Sequence, residues 1–168
     1  AVVGAVDDQT KELVGMVTLK ETLLLQETEL IDPEKAETIA KNAVAALGPK
    51  QRRLYKGASM KVIATELLSP TTQAVCVLSN LAVSTKARRR NIAYQLCDEM
   101  EALANDWDFD HVHLLVERDN TAARTLYETK LRYNEVSMKE SAPALRVNIE
   151  AGAFVETTAD TLLLSKSL

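Results

Sequence analysis

Three consecutive arginines, Arg88, Arg89 and Arg90, are the residues of this chain best suited to bind a charged ligand. They follow residues 74–83, an almost continuously apolar run that predicts a strand buried on both faces, and they open a helical pattern at about residues 89–106. The first N–H groups of a helix lack intrahelical partners, and the helix dipole adds positive potential there. We therefore expect an anion site, which a pyrophosphate would fit best. The alternative is a solvent-exposed basic helix start without a ligand.

Further short motifs surround the arginines. In chain order the series is Leu81-Ala82-Val83, Arg88-Arg89-Arg90-Asn91-Ile92-Ala93, Trp107-Asp108-Phe109, Val116-Glu117-Arg118-Asp119-Asn120, Leu126-Tyr127 and Lys130-Leu131-Arg132-Tyr133. In this order and spacing the motifs resemble the GNAT superfamily of acetyl-CoA-dependent N-acetyltransferases. More narrowly, the chain is similar to the cyanobacterial and plastid type. The resemblance is dense over residues 74–136 and diffuse elsewhere.

The resemblance implies direct transfer of an acetyl group from acetyl-CoA, the cosubstrate, to an amine. Such transfer needs a base for the amine proton, donors for the developing oxyanion and an acid for the leaving thiolate. By resemblance Tyr127 is the acid and Asn120 contacts the pantetheine region; the alternative for Tyr127 is a buried ring with a solvated hydroxyl. The other residues expected to bind the cofactor are Leu81, Ala82 and Val83 along the pantetheine arm, Arg88, Arg89, Arg90, Asn91, Ile92 and Ala93 around the pyrophosphate, and Ala123.

The general base is not defined by a motif. Glu117 ends a predicted central strand at 111–117 and is the candidate, and a solvated charge at a strand end is the alternative. His111 and His113 alternate with Val112, so both should point to the same face of that strand. Their spacing could suit a metal, but no carboxylate or thiol completes a ligand set. We therefore expect packed or solvent-facing histidines and no metal.

Three positions that usually carry glycine in the resembled family carry other residues here. They are Asn91 in the arginine loop, Asp108 after Trp107, and Arg132. Glycine at such places allows a left-handed backbone or a close approach to phosphate. Asn and Asp are the best other residues for left-handed geometry, whereas at Arg132 it should cost on the order of 1 kcal/mol. The Asn91 side chain also projects where a phosphate would approach.

The pattern of apolar runs and turns predicts a series of strands and helices. The resemblance implies that they form an α/β (α+β) GNAT fold whose central sheet is mixed, mostly antiparallel and flanked by helices. The predicted strands are residues 1–6, 13–25, 74–83, 111–117, 133–137 and 154–165. The predicted helices are residues 33–47, about 50–68, about 89–106 and 121–131. The first is capped by Asp32 and has Ile39, Ala43 and Leu47 on one face, and the second is ended by Pro70. The last is capped by Asn120 and has Ala123, Tyr127 and Leu131 on its inner face. The GNAT fold has the same order from its second strand onward, so the resemblance implies that its first strand and two short helices are missing.

Length and composition limit the protein class. The 168 residues, 46% of them hydrophobic, suit a single domain over 1–168, with a helical insertion at 32–70 and the acetyl-CoA-binding core at 74–136. A net charge of −4 and a pI near 5.3 argue against general nucleic-acid binding. Cys76 and Cys97 lie in apolar segments and are expected to be reduced core residues.

Two features bear on where the chain acts. No apolar run approaches the roughly 20 residues that span a bilayer, so no transmembrane segment is predicted. The chain begins at Ala1 without a methionine or a recognisable signal peptide, which indicates a processed or trimmed product. The resemblance implies the chloroplast or plastid stroma, and without it the cytoplasm would be expected.

Two functions follow. The first is an acetyl-CoA-dependent N-acetyltransferase, an acyltransferase acting on a small amine, a protein N-terminus or a lysine. The second is a non-catalytic GNAT-fold scaffold subunit of a larger plastid assembly, such as a photosynthetic complex, with the 32–70 insertion as its docking surface for protein partners. A third, less favoured function is a module that senses acetyl-CoA without turnover.

Overall fold

The computed structural model describes residues 1–148 and 152–168, and for residues 145, 147 and 148 it describes the backbone alone. The strands are β1 (Val2–Val6), β2 (Leu13–Leu25), β3 (Glu29–Leu30), β4 (Thr72–Val83), β5 (His111–Glu117), β6 (Asn134–Asn148) and β7 (Ala153–Ser167). The α-helices are α1 (Pro33–Ala45), α2 (Pro49–Leu54), α3 (Met60–Leu67), α4 (Ile92–Asp106) and α5 (Thr121–Arg124). A 3₁₀ turn occupies Thr85–Ala87, and a π-helical segment occupies Thr125–Lys130.

Within the described residues, seven strands form one mixed sheet in the order β1-β2-β4-β5-β7-β6, with β3 paired to β2. Helices flank the sheet, which confirms the predicted fold class. The pairs β1–β2, β2–β4 and β6–β7 are antiparallel. The chain divides into two compact units, a first unit of Ala1–His113 with Ser167–Leu168 and a second unit of Leu114–Lys166.

In the first unit, α1 begins where the sequence predicts it. The Asp32 carboxylate accepts hydrogen bonds from the backbone N–H groups of Glu34 at 3.0 Å and Lys35 at 3.2 Å, and Pro33 occupies the first helical position. This cap satisfies two of the four N–H groups that a helix start leaves without partners.

The apolar face predicted for α1 is buried only in part, since Ala43 and Leu47 are partly buried whereas Ile39 is exposed. Ile39 is 38% exposed, and the buried positions are Ala36 and Ala40. Ala36 packs in a cluster with Leu23 of β2 and Ala64 of α3. Small side chains let a helix approach its neighbours closely, so the alanine stripe rather than the larger residues sets the buried face.

The single helix predicted at about 50–68 is also wrong, because the chain folds into α2 and α3. Gly57, at φ +80°, lies between them in a left-handed conformation that continues no helix. The hydroxyl of Ser59 then accepts a hydrogen bond from the Val62 N–H at 3.3 Å and caps α3. Leu54, the last residue of α2, is left 80% exposed.

The six predicted strands are present, with differences in extent, and β3 was not predicted. β1, β2 and β5 lie where they are predicted, whereas β6 and β7 are longer than the predicted 133–137 and 154–165. β4 was predicted to be buried on both faces along its length, but only its residues 75–78 are buried, and the residues after them alternate between partly buried and exposed. A strand that is covered on both faces only at its middle has room for a ligand beside its end.

The helix α4 covers the first unit's core. Its buried residues include Leu96, Cys97 and Met100, and the sheet residues Val17 and Leu19 are fully buried. Cys76 and Cys97 are both buried, as predicted, and burial raises the pKa of the Cys76 thiol to about 12. The Cys76 thiol is therefore not set up as a nucleophile.

Within residues 1–148 and 152–168, no helix is long and apolar enough to span a bilayer.

Gly15 of β2 lies directly under the first turn of α4. A Cβ atom at this position would be 3.0 Å from Cγ2 of Ile92 and 3.1 Å from Cδ1 of Leu96. A Cβ atom here would require these two side chains to shift by a few tenths of an ångström, and a larger side chain would require more. Glycine at this position thus favours the close approach of α4 to β2.

We predict that Gly15→Val lowers the free energy of unfolding by about 1–3 kcal/mol, because overpacking at a tight contact forces neighbouring side chains and backbone to shift. Urea unfolding followed by circular dichroism measures the change. Gly48→Ser is the control, since a Cβ at Gly48 would meet only the Gln51 Oε1 atom at 3.8 Å. Equal stability of Gly15→Val and the wild type would show that the helix start is not held at this contact.

Candidate functional site

A β-bulge shapes β4 ahead of the arginine loop. Met16 pairs with Ala82 and Thr18 pairs with Ser79, so three steps along β4 oppose two steps along β2. Asn80 has φ 54°, in the left-handed region. A bulge of this kind bends its strand and redirects the side chains that follow.

Polar side chains stabilise the bulge. The Asn80 amide donates to Oγ1 of Thr18 at 3.1 Å, and Thr18 Oγ1 donates to the Ser79 carbonyl at 3.0 Å. Thr18 is only 5% exposed, so its hydroxyl needs these partners. This group was not predicted, although a Ser-Asn pair within an otherwise apolar strand indicates an irregularity there, because Asn is rare in strands.

The predicted pantetheine-binding residues follow the bulge. Leu81 and Val83 are partly buried, Ala82 is exposed, and Ala82 and Val83 pair with Met16 and Gly15 of β2. The Val83 carbonyl also accepts a hydrogen bond from Nε of Arg88 at 3.4 Å. The end of β4 is thereby joined directly to the arginine loop.

The arginine loop, residues 84–91, reaches α4 through two left-handed residues. Arg89 and Asn91 both have φ 65°, which confirms the predicted left-handed backbone at Asn91. Ala87, only 2% exposed, packs the middle of the loop into the protein. The loop therefore has a defined path that ends at the first turn of α4.

The first turn of α4 lacks a side-chain cap. Asn91 is the N-cap residue, and its side chain accepts no hydrogen bond from the turn, whereas its backbone carbonyl accepts the Gln95 N–H at 3.1 Å. The first turn carries no acidic residue, and Ile92 and Ala93 are partly buried there. An uncapped helix start with positive potential favours an anionic ligand.

The three arginines differ in their contacts. Arg90 forms an ion pair with Asp7 of the turn between β1 and β2, with Nη1 to Oδ2 at 2.9 Å. Arg90 and the N–H groups of Thr10 and Gln9 stabilise the Asp7 carboxylate, and together they lower its pKa to about 2. Arg90 thus ties the loop to the neighbouring hairpin, while the exposed side chains of Arg88 and Arg89 extend from the loop.

A cleft of about 550 Å³ lies beside this ion pair in the first unit. Asp7, Arg90, Ile92 and Gln95 are among its lining residues. The cleft therefore borders the same helix start that the sequence pattern assigns to a phosphate.

In the second unit, Asn120 caps α5 as predicted. Its Oδ1 atom accepts the Ala123 N–H at 3.1 Å, so both residues take part in the cap. The Asn120 side chain is held by this bond, with its amide nitrogen as the group that could donate to a pantetheine carbonyl.

Tyr127 lies in the π-helical segment that follows α5. It is 7% exposed, and its ring packs edge-on against Tyr133 with centroids 5.9 Å apart and planes at 64°. The Tyr133 N–H donates to the Tyr127 carbonyl at 3.0 Å, and Arg132 before it has φ 66°. The left-handed Arg132 confirms the prediction, whereas no sequence pattern indicated the π-helical geometry.

Glu117 has an ion-pair partner that the sequence did not indicate. Its Oε2 atom lies 2.6 Å from Nη2 of Arg146 in β6. Its side chain is 29% exposed. The candidate base therefore has one carboxylate oxygen engaged by a guanidinium.

The histidines lie in the first unit, at the start of β5. His113 is buried and His111 is exposed, with ring centroids 6.4 Å apart, and both line one cleft. This agrees with the prediction that they share a face. Burial, and secondarily the charge of His111, lowers the pKa of His113 to about 4. Within the described part of the chain, no group of three or more His, Cys, Asp or Glu residues could hold a metal ion.

Comparison with known proteins identifies the family. Residues 2–132 match the model of the Acetyltransferase (GNAT) family. The chain belongs to this family. A comparison with curated protein sequences found no match.

Solved structures share the GNAT fold at low identity. Naa20 of Chaetomium thermophilum, in complex with a bisubstrate analogue, is 17% identical with a TM-score of 0.58, and the match covers 98% of this chain but 64% of Naa20, less than two thirds. NAA60 of Arabidopsis thaliana, also with a bisubstrate analogue, is 19% identical with a TM-score of 0.57 and coverages of 99% and 75%. A mosquito arylalkylamine N-acetyltransferase (like 5b) is 15% identical with a TM-score of 0.54 and coverages of 99% and 74%. At these identities the likeness shows the fold.

We predict that the stability of this GNAT protein falls between pH 6.5 and about 4 because of His113. Over this range the His113 imidazole is protonated in the unfolded chain but stays neutral in the folded protein. Acid therefore lowers the free energy of unfolding by up to about 3 kcal/mol. Above pH 6.5 the imidazole is neutral in both states and the effect vanishes. Urea unfolding at pH 7.5, 6 and 5 measures it.

The test compares His113→Gln, which cannot titrate, with the exposed-site control His111→Gln. The loss of stability from pH 7.5 to 5 should shrink in His113→Gln and persist in His111→Gln. An identical loss in His113→Gln and the wild type would contradict the assignment.

Proposed function

We propose that this chain binds acetyl-CoA and transfers its acetyl group to an amine. The supporting observation is the start of α4, where Asn91 provides no side-chain cap and Arg88 and Arg89 are exposed on the preceding loop. N–H groups without side-chain acceptors, a helix dipole and two guanidinium groups together favour a pyrophosphate. The residues present therefore fit the phosphate part of the cosubstrate.

The end of β4 fits the pantetheine arm. The bulge at Asn80 redirects the strand, and Leu81, Ala82 and Val83 then continue to the arginine loop. Pantetheine carries amide groups that pair with extended backbone, as a further strand would. We assign these three residues to the arm. For the second unit, taken by itself, the resemblance assigns Asn120 and Ala123 to cofactor binding.

The proposed reaction is a direct transfer. The amine nitrogen attacks the thioester carbonyl carbon, the new C–N bond forms, and the C–S bond breaks. The thiolate leaves with its electron pair and takes a proton from the Tyr127 hydroxyl, while a base takes the proton that the amine loses. Each proton and each electron pair is thereby accounted for within the chain and its two substrates.

Two residues are assigned to proton transfer. Tyr127 has a ring fixed by burial and by its edge contact with Tyr133, as a positioned acid requires. Glu117 is the proposed base. Arg146 fixes its Oε2 atom, so an amine would have to approach the other carboxylate oxygen.

The acceptor class is an amine in this proposal. The structural relatives include proteins studied with bisubstrate analogues and an arylalkylamine N-acetyltransferase. A small arylalkylamine, a peptide N-terminus and a lysine side chain are therefore the three acceptors to test first.

The plastid placement and the scaffold function stay predictions from the sequence, and the comparisons lend them no support. The 32–70 segment folds as α1, α2 and α3, with Leu54 exposed at the end of α2. A scaffold would dock through this segment. The transferase proposal has more support, because residues 2–132 match the acetyltransferase family and Arg88 and Arg89 are exposed beside a helix start without a side-chain cap.

We predict that Tyr127→Phe lowers kcat about 100-fold and changes the KM for acetyl-CoA by less than about twofold, because the acid acts in the transition state. Thiol release from acetyl-CoA, measured with each of the three acceptor amines, gives both constants. Tyr55→Phe is the control, since the Tyr55 hydroxyl bonds to Glu66 between α2 and α3.

Unchanged kcat in folded Tyr127→Phe would remove the acid role from Tyr127. Absence of thiol release by the wild type with all three acceptor classes would contradict the transferase proposal itself.

A further inference from the structure

Asp7 is held in the turn between β1 and β2 by several hydrogen bonds. Its Oδ1 atom accepts from the backbone N–H groups of Gln9 at 3.0 Å and Thr10 at 3.1 Å. Its own N–H donates to the Glu12 carbonyl at 2.9 Å, and its carbonyl accepts from the Lys11 N–H at 2.8 Å. The side chain is 15% exposed. Because these bonds all lie within the turn, the carboxylate has an orientation that does not depend on the arginine loop.

The other carboxylate oxygen of Asp7 contacts the arginine loop. Its Oδ2 atom lies 2.9 Å from Nη1 of Arg90. Arg90 stands between Arg89 and Asn91, which both have φ 65°. Residues that carry a side chain seldom adopt left-handed backbone, so contacts outside these two residues have to hold this path. The ion pair is such a contact, placed between the two left-handed residues.

Two further contacts hold the loop before this point. Ala87 is 2% exposed, and Nε of Arg88 donates to the Val83 carbonyl at 3.4 Å. After Arg88, as far as the structure describes the chain, the pair of Arg90 with Asp7 is the one ion pair that joins the loop to another element. The last residues of the loop, which lead directly into α4, therefore have Asp7 as their charged anchor.

The geometry of the pair favours positioning over competition with a ligand. A carboxylate that saturates an arginine commonly engages it through two parallel N–H groups. Within the described structure one hydrogen bond, from Nη1, joins Arg90 to Asp7, whereas a guanidinium carries five N–H donors. The Arg90 side chain is 57% exposed and lines the cleft of about 550 Å³ beside the start of α4. Asp7 thus fixes the direction of the arginine without covering it.

We propose that Asp7 is a positioning residue of the acetyl-CoA site. It holds Arg90, and with it the left-handed path from Arg89 to Asn91, so that the N–H groups at the start of α4 are in place before the cosubstrate binds. Asp7 acts through Arg90 and does not contact the cosubstrate. The inference rests on the proposed function for the identity of the ligand, whereas the ordering of the loop is a property of the ligand-free chain.

The variant Asp7→Asn tests the pair with little change to the turn. An asparagine oxygen still accepts the N–H groups of Gln9 and Thr10, whereas its NH₂ group faces the guanidinium, and two donors cannot pair. We expect the Kd for acetyl-CoA, measured by calorimetry, to rise at least fivefold. The KM for acetyl-CoA should rise with it, and kcat should stay within twofold of the wild type, because the loss is in binding.

Asp8→Asn is the matched control, because it removes the same charge from the next residue of the same cleft lining. It should bind acetyl-CoA at least as tightly as the wild type, since a negative charge near the phosphates is lost. Arg90→Lys keeps a cation opposite Asp7 and should stay within twofold of the wild type, whereas Arg90→Gln should weaken binding at least fivefold. The double variant Asp7→Asn/Arg90→Gln should bind no more weakly than the poorer single variant, because either change already breaks the pair.

A second measurement needs no cosubstrate. The Gln95 N–H donates to the Asn91 carbonyl at 3.1 Å in the first turn of α4, and the Trp107 N–H donates to the Leu103 carbonyl at 3.0 Å at the other end. Amide hydrogen exchange, followed by NMR, should be at least fivefold faster at Gln95 in Asp7→Asn than in the wild type. Exchange at Trp107 should not change, which would show that the rest of the helix keeps its fold.

Tighter binding of acetyl-CoA by Asp7→Asn would overturn the proposal, because it would mean that Asp7 competes with the phosphates for Arg90. Unchanged binding, equal weakening in Asp8→Asn, or unchanged exchange at Gln95 would overturn it as well. Absence of acetyl-CoA binding by the folded wild type, together with faster Gln95 exchange in Asp7→Asn, would instead contradict the proposed function and support the ordering of the loop by Asp7.

Discussion

The contact between Gly15 of β2 and the first turn of α4 is the constraint on which the candidate site depends. Ile92 and Leu96 reach to within van der Waals distance of the space where a side chain would stand. The helix start is therefore fixed against the sheet, and the preceding loop has to reach it along a short path. Left-handed backbone at Arg89 and Asn91 provides that path. An N-terminal helix end held in this way can present N–H groups to a ligand without first being ordered.

The charges of the loop separate into two roles. Arg90 is paired with Asp7 and connects the loop to the β1–β2 turn, while Arg88 and Arg89 are exposed. A structural ion pair and two exposed cations thus occur in three consecutive residues. In the proposed function, this division would let an acidic chain, with a net charge of −4, bind an anion locally.

Sequence periodicity and caps predicted much of the fold. The bounds of β2 and β5, the Asp32 and Asn120 caps, and the left-handed residues at Asn91, Asp108 and Arg132 all follow from local chemistry. The errors arise where contacts between residues far apart in the sequence determine the local structure. The bulge in β4 depends on Thr18, 62 residues from Asn80, and the role of Arg90 depends on Asp7, 83 residues away. No local sequence pattern predicts such pairings. The catalytic and cofactor-binding roles remain predictions that require experiment.

Calorimetric titration with acetyl-CoA at moderate salt tests the central claim, that the arginine loop and the start of α4 form a phosphate site. The wild type should bind, and the double variant Arg88→Ala/Arg89→Ala should bind at least tenfold more weakly, because it loses two charge-assisted contacts. Arg52→Ala/Arg53→Ala, with the same change of charge on α2, should bind as the wild type does. Absence of binding by folded wild type, or equal weakening in both double variants, would contradict the claim.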